Sequence, residues 1–524
     1  MSASTKKKLR KEQVAAQMTE RQLAEKAEAK KLKLYTTLFV AFMAIILVVA
    51  IVVGISGFVS NSGMREKNTV AATIGQHKVS NAELNYFYID AINNYYSTYG
   101  DYIYLFGLDA ATPLNEQYAD EENGVTWADY FVDSAINNAR AIYAMTDAAK
   151  AEGFTLTEEE KNNIENTIST IELYATLYGY ESGDQYVKAL YGKGASVETY
   201  KEYMELSQLA DSYYTAHNNA LTYDDTVIAV ADAENGAAYS AYSYNYYYLA
   251  TSKFQEGDDK AAAIAAAEEA AKSLTENVTT AEELDAAIAA LSINADTSAS
   301  STACVDYGYS NVNSVIAEWV TSAERKAGDI TYIPSGEEIS GYYVVLFQGS
   351  NDNNYALKNV RHILVGFDHN HEEGEEHNHD EVTYTEEEIA AAKAEAEEIL
   401  AQWQAGEANE DSFAALANEL SDDGDGTTGG LYENIYKGQM VEAFQDWCFD
   451  ASRATGDTGI VETQYGFHVM YFVGNSETNY REYLITNELR SVDMENWYNG
   501  LVEAASLTEG NTSYIAKDLV LGNG

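Results

Sequence analysis

Between Leu34 and Val59 the chain runs for about 26 residues without a charge, LYTTLFVAFMAIILVVAIVVGISGFV. At 1.5 Å of rise per residue such a run crosses a hydrocarbon core of roughly 30 Å, so it predicts one transmembrane helix. It is too long for the apolar core of a cleaved signal, and no cysteine follows it to accept a lipid. Past residue 66 the pattern turns helical and amphipathic. Ser80 with Glu83 forms a capping box, and Leu84, Phe87, Ala91, Ile92 and Tyr95 follow at helical spacing. Thr126 opens a second helix ended by Gly153, Thr157 with Glu160 caps a third, and the spacing continues to about residue 220. A mainly α-helical domain is expected over residues 66–225.

The next two segments resemble each other. Residues 316–350 can be laid on 443–477, so that Trp319, Arg325, Gly328 and Asp329 fall on Trp447, Arg453, Gly456 and Asp457, and GYYVVLFQG falls on GFHVMYFVG. Upstream, NYYYLA matches VRHILV, and in each copy a helix rich in alanine and glutamate follows. The expected unit, used over 226–352 and again over 356–475, is strand, helix, short helix, loop, helix and closing strand, an α+β domain. Residues 476–524 read as a short helical C-terminal tail. In this register His362 falls on Tyr247, His468 on Tyr343 and Asp423 on Asn294, so one copy keeps ionisable side chains where the other has none.

Charge sets the orientation and narrows the partners. Residues 1–33 carry ten Lys/Arg against four Glu, which places that end in the cytoplasm. The rest of the chain holds 22 basic and 79 acidic residues, a balance of −57, which repels nucleic acid and excludes it as a partner. The expectation is a single-pass protein of the cell membrane, N-terminus cytoplasmic and bulk extracytoplasmic. Cys304 and Cys448 match no metal spacing and read as buried thiols, with pairing left open.

Five of the eight histidines lie in VRHILVGFDHNHEEGEEHNHDEVTYTEEE, residues 360–388. His362 sits in an apolar strand, and His369, His371, His377 and His379 follow in an acidic loop. Two His-x-His pairs are weak candidates for Zn, Ni or Cu, though an acidic loop of this kind is more often only a solvated insertion, and no catalytic part is expected of them. Met440 and Phe444 are four apart and so share one helix face, as either plain core or an apolar cup. Asp423, in SDDGDG, is a turn residue or an acidic site group.

VRHILV, FAALANELSDD followed by GG, KGQMVEAF, GDTG and VETQYGFHVMYF occur in an order that resembles the parvulin, or PpiC-type, peptidyl-prolyl cis-trans isomerases over residues 356–475. The layout around them is similar to the PrsA and SurA foldases, with a transmembrane helix in place of a lipid-modified cysteine. The resemblance implies an enzyme without metal or cofactor, acting on unfolded or partly folded exported polypeptides that contain X-Pro bonds. It places His362, His468, Asp423 and Thr463 in the catalytic set. Met440 and Phe444 would grip the proline ring, with Tyr432, Phe467 and Tyr465 around them. An acidic loop after the first strand points away from phosphorylated Ser/Thr-Pro substrates. A chaperone that uses the parvulin fold only as scaffold is the alternative.

Overall fold

The structure, a computed structural model, describes residues 63–255, 258–291, 293, 299–367, 384–424 and 426–519. The basic tail, the expected membrane helix over 34–59, Asn294 and the histidines at 369, 371, 377 and 379 lie outside the described residues. Among the described residues no helix is long and apolar enough to cross a membrane. The chain is mixed α and β and divides into two compact units.

Described residues 63–221 and 490–519 make the first unit. Its long helices Asn81–Tyr99, Trp127–Ala151, Glu158–Leu177 and Val197–Ala220 each start at a Ser or Thr whose side chain accepts from a first-turn backbone N–H. Their inner faces close a core that includes Tyr86, Tyr88, Phe131 and Tyr186. The C-terminal stretch is more than a tail here: Leu507–Glu509 pairs with Val70–Ile74, which pairs with His77–Ser80. A three-residue strand is too short to show a period, so nothing in the sequence pattern announced it.

The second unit, residues 222–489, holds both sheets of the expected repeat. The first copy runs β1 (Ala241–Ala250), α1 (Lys260–Ser273), α2 (Ala281–Ala289), β2 (Thr302–Gly308), α3 (Ser314–Val320), β3 (Ile330–Pro334) and β4 (Gly341–Asn351). The second runs β5 (Ala356–Gly366), α4 (Glu386–Ala405), α5 (Glu410–Leu420), β6 (Leu431–Ile435), α6 (Glu442–Phe449), β7 (Thr458–Thr463) and β8 (Gly466–Asn479). Both sheets are antiparallel, in the orders β2-β1-β4-β3 and β6-β5-β8-β7. In each copy two helices cover one face of the sheet and one helix covers the other.

The shared Trp, Arg, Gly and Asp positions build the same corner twice. Arg325 lies over Trp319 and Arg453 over Trp447. Gly328 and Gly456 have φ of 89° and 90°, a left-handed conformation that glycine adopts without strain. Their N–H groups donate to Phe347 and Phe472, which donate back to the carbonyls of Asp329 and Asp457.

The strand pairing corrects one part of the alignment. His362 lies opposite Met470, and Tyr246 lies opposite Val345, the counterpart of Met470. The position equivalent to His362 is therefore Tyr246, not Tyr247. One residue of register turns a side chain to the other face of a sheet. Tyr247 packs with α1 and α2, whereas Tyr246 packs with α3 and with Tyr343.

Candidate active site

β5 and β8 are the two central strands of the second sheet, and along both the even-numbered residues face α6. His362 and His468 are diagonal neighbours on that face, close enough for side chains to meet. The chain between them is long, and the sheet alone brings them together. Their Nδ1 atoms are 3.1 Å apart. At one end Nε2 of His362 lies 3.2 Å from Asp423 Oδ2, and at the other Nε2 of His468 lies 2.9 Å from Thr463 Oγ1.

Residues beyond the expected set hold this arrangement. After α5, Ser421 Oγ accepts from the N–H groups of Leu364 and Asp423, and Asp422 accepts from Gly366 N–H. These bonds tie the loop to β5 and hold Asp423 beside His362. Gly430, at φ 65°, accepts from His362 N–H, and a Cβ there would run into the His362 carbonyl oxygen. The doubled acid and doubled glycine were visible in the sequence; their division of labour was not.

While both rings are neutral each carries one N–H, and the partners then fix every proton. A carboxylate only accepts, so Nε2 of His362 donates to Asp423. Its bare Nδ1 accepts from Nδ1 of His468, whose bare Nε2 accepts from the Thr463 hydroxyl. Tyr432 donates its hydroxyl to Asp423 Oδ2 at 2.8 Å, and Tyr465 N–H donates to Thr463 Oγ1 at 3.1 Å. The hydrogen bonds of the four side chains therefore run in one direction, from Thr463 to Asp423.

Burial pushes the His468 ring down to about 3, with His362 beside it adding to the shift and Asp423 opposing it. In the unfolded chain the ring titrates near 6.5. Above that pH neither state is protonated and the neutral ring costs nothing. Between pH 6.5 and about 3 only the unfolded state takes the proton, so this group removes about 1.4 kcal/mol of stability per pH unit; below about 3 the loss stops growing. Urea unfolding between pH 7 and 4 is expected to show a shallower decline in His468→Gln, and equal slopes would contradict the assignment.

The apolar side of the site is Met440 and Phe444, but only Phe444 lies in α6; Met440 precedes the helix, so the two do not share a helix face as their spacing implied, and they meet in one cluster instead. Phe444 stands edge-on to both imidazoles, at 5.4 Å from His362 and 5.3 Å from His468. Tyr432 lies 5.0 Å from His362, in the same cluster. Met440 and Phe444 are 7% and 2% exposed, so the cup is closed in this structure. Tyr465, also buried, packs on Leu364 and Val441.

Phe467 does not join them. It is odd-numbered on β8, and alternation sends it to the opposite face, against Phe367 and the α4–α5 core. Cys304 and Cys448 are buried free thiols in the two copies. Among the described residues no group of three or more His, Cys, Asp or Glu gathers to hold a metal.

Residues 362–474 match the family model of the rotamases, described as the PPIC-type PPIASE domain, and this part of the chain is a parvulin-type domain. Solved structures of PrsA share segments with the chain. The peptidylprolyl isomerase PrsA from Bacillus anthracis is 18% identical with a TM-score of 0.18, over 29% of this chain and 59% of that one. PrsA from Bacillus cereus is 22% identical with a TM-score of 0.18, over 29% and 50%. For PrsA from Bacillus subtilis the values are 14% and 0.25, over 72% and 85%. The chain thus spans less than two thirds of the first two, and none superposes on it as a whole. No curated protein matches it.

Proposed function

We propose that the protein is a membrane-anchored, extracytoplasmic peptidyl-prolyl cis-trans isomerase and foldase, acting on X-Pro bonds of exported polypeptides. The observation that carries this reading is the hydrogen-bonded set Thr463, His468, His362 and Asp423 beside Met440 and Phe444 in a rotamase domain. Prolyl isomerisation crosses a barrier of roughly 18–20 kcal/mol because the C–N bond has partial double-bond character. It needs no nucleophile and no metal.

A dry apolar cup grips the pyrrolidine ring and leaves the preceding residue free to rotate. Asp423 is the anionic group of the site. A planar amide carries excess negative charge on its oxygen, and that charge falls as twisting removes the resonance. A carboxylate facing this oxygen therefore penalises the planar state more than the twisted one, which is differential stabilisation of the transition state. The helical unit and the first copy, whose Tyr246 and Tyr343 replace the histidines, would hold unfolded segments, and the uncharged run 34–59 would anchor the chain.

One observation favours a second reading, a chaperone without turnover: the closed cup, with Tyr432 held against His362 by its bond to Asp423. The two are separated by following cis-to-trans conversion of an Ala-Pro peptide with the full chain, Met440→Ala and Asp423→Ala. The isomerase reading expects a rate above buffer that falls in both variants. Equal rates in all three, or none above buffer, leave the scaffold.

A further inference from the structure

In the helical unit, the helix Asn81–Tyr99 runs into a short 3₁₀ helix, Gly100–Phe106, that turns its apolar side chains outward. The segment is bounded by Gly100 and Gly107 and pinned to the core by Ile103 and Leu108, both buried. Between these anchors Tyr102, Tyr104, Leu105 and Phe106 are between 50% and 66% exposed. Phe106 lies 4.6 Å from Tyr99, which is exposed as well, and Tyr95 bridges both to the exposed Tyr130. Beside them a recess of about 500 Å³ opens between Tyr96, Ile103, Tyr104, Leu108 and Asp109. A segment pinned in this way keeps the rings outside the core, and contiguous apolar surface of this kind marks a contact site.

Charge selects the occupant. From Val79 to Ala139 the sequence has ten Asp/Glu and no Lys, Arg or His. Asp109 stands in the recess itself, and among the described residues the one ion pair made by these acids is Asp129 with Lys517. A second copy of this chain, at −51, and an anionic lipid surface are both repelled there. Placement argues against the bilayer as well. Gly63 and Lys67, the described residues nearest in sequence to the expected anchor, pack with Ala82 around Gly194. Ala82 is at the start of the helix that ends in the patch, and its 19 residues put about 28 Å between the two.

We propose that this patch binds an extended polypeptide segment whose apolar side chains are flanked by lysine or arginine. The rings and Leu105 supply contact area at a small cost in ordering, because the segment already holds them in place. The recess lies within the range of ligand pockets and receives an apolar side chain. The acids of this part of the chain draw the flanking cations and reject segments flanked by carboxylates. That such segments come from unfolded chains rests on the foldase reading above; the recognition chemistry does not, and it involves none of the residues of the prolyl site.

The test is fluorescence anisotropy of a labelled, proline-free peptide with leucine and phenylalanine between lysines, titrated with the full chain in detergent at low salt. One twin carries glutamate for lysine, and another carries serine for leucine and phenylalanine. The lysine peptide is expected to bind more tightly than either twin. In Tyr104→Ser/Leu105→Ser its affinity falls about tenfold, as expected for loss of two central contacts, and the exposure of both side chains leaves the fold intact. Leu173→Ser/Leu177→Ser removes two comparably exposed side chains of the same unit outside the patch and is the reference, with affinity unchanged. A lysine peptide that binds no better than its twins, or a patch variant no weaker than the reference, overturns the proposal. So does self-association in sedimentation that the patch variant abolishes, which assigns the face to a second copy. Trp127 stands beside Tyr95 and Tyr130, so with the chain in nanodiscs of brominated phosphatidylcholine, quenching of tryptophan fluorescence that the patch variant relieves assigns the face to lipid and overturns the proposal too. Because the probe lacks proline, a failed Ala-Pro assay leaves this result standing, and a failed titration leaves the isomerase reading standing.

Discussion

Phe444→Ala is expected to bring prolyl isomerisation down to the uncatalysed rate and to cost about 3–5 kcal/mol of stability in the same stroke. The side chain is 2% exposed and touches both imidazoles edge-on. Its loss opens a cavity under the histidine pair and removes a wall of the cup. The two consequences separate in Phe444→Leu, which keeps most of the volume and is expected to lose less than about 1.5 kcal/mol. A flexible aliphatic chain still fills the core but no longer presents a flat wall between His362 and His468. The expected kcat/KM of the leucine variant is therefore about tenfold low, a loss of about 1.4 kcal/mol in transition-state stabilisation. Urea unfolding followed by tryptophan fluorescence gives the stability, and the Ala-Pro assay, run where each variant is folded, gives the activity. If Phe444→Ala stays within twofold of the parent while folded, this residue packs the domain and does nothing for the substrate.

Much of the site was legible because its residues sit in motifs whose order could be matched piece by piece. His362, His468, Asp423 and Thr463 come together in space as that order implied. Two readings failed for one reason, the period of two along a strand. Phe467 neighbours His468 in sequence, which is what puts it on the other face of the sheet. The run AYSYNYYYLA has tyrosine on both faces, so composition gave no cue to register. The irregularity between Ser243 and Tyr244 disturbs it further, and the slip from Tyr246 to Tyr247 followed. The burial of Met440 and Phe444 was beyond reach for a different reason. A cup and a core need the same side chains at the same spacing, and only the position of Tyr432, fixed by its bond to Asp423, tells how far the cup is closed.

Asp423→Ala is expected to lower kcat/KM by about one to two decades with little change in KM. Its removal leaves the Nε2–H of His362 buried without an acceptor, worth about 1–3 kcal/mol, and deletes the charge that disfavours the planar amide. Asp423→Asn separates the two, since its amide oxygen can still accept from His362 but carries no charge. It should recover stability more than rate. The directional chain makes a stronger demand. Thr463 is the far end of three successive hydrogen bonds from Asp423, so removing one end frees the ring tautomers at the other. Thr463→Ala lets His468 carry its proton on either nitrogen, and Asp423→Ala does the same for His362. The double variant should lose less than the sum of the single ones, by about 0.5–3 kcal/mol, as groups in one network do. Nitrogen NMR of the imidazoles checks the cause directly: in the parent protein near neutral pH, His468 should show its proton on Nδ1 and, where His362 is neutral, that ring on Nε2. Additive losses, together with tautomers that ignore both substitutions, would mean that the four side chains only share a location.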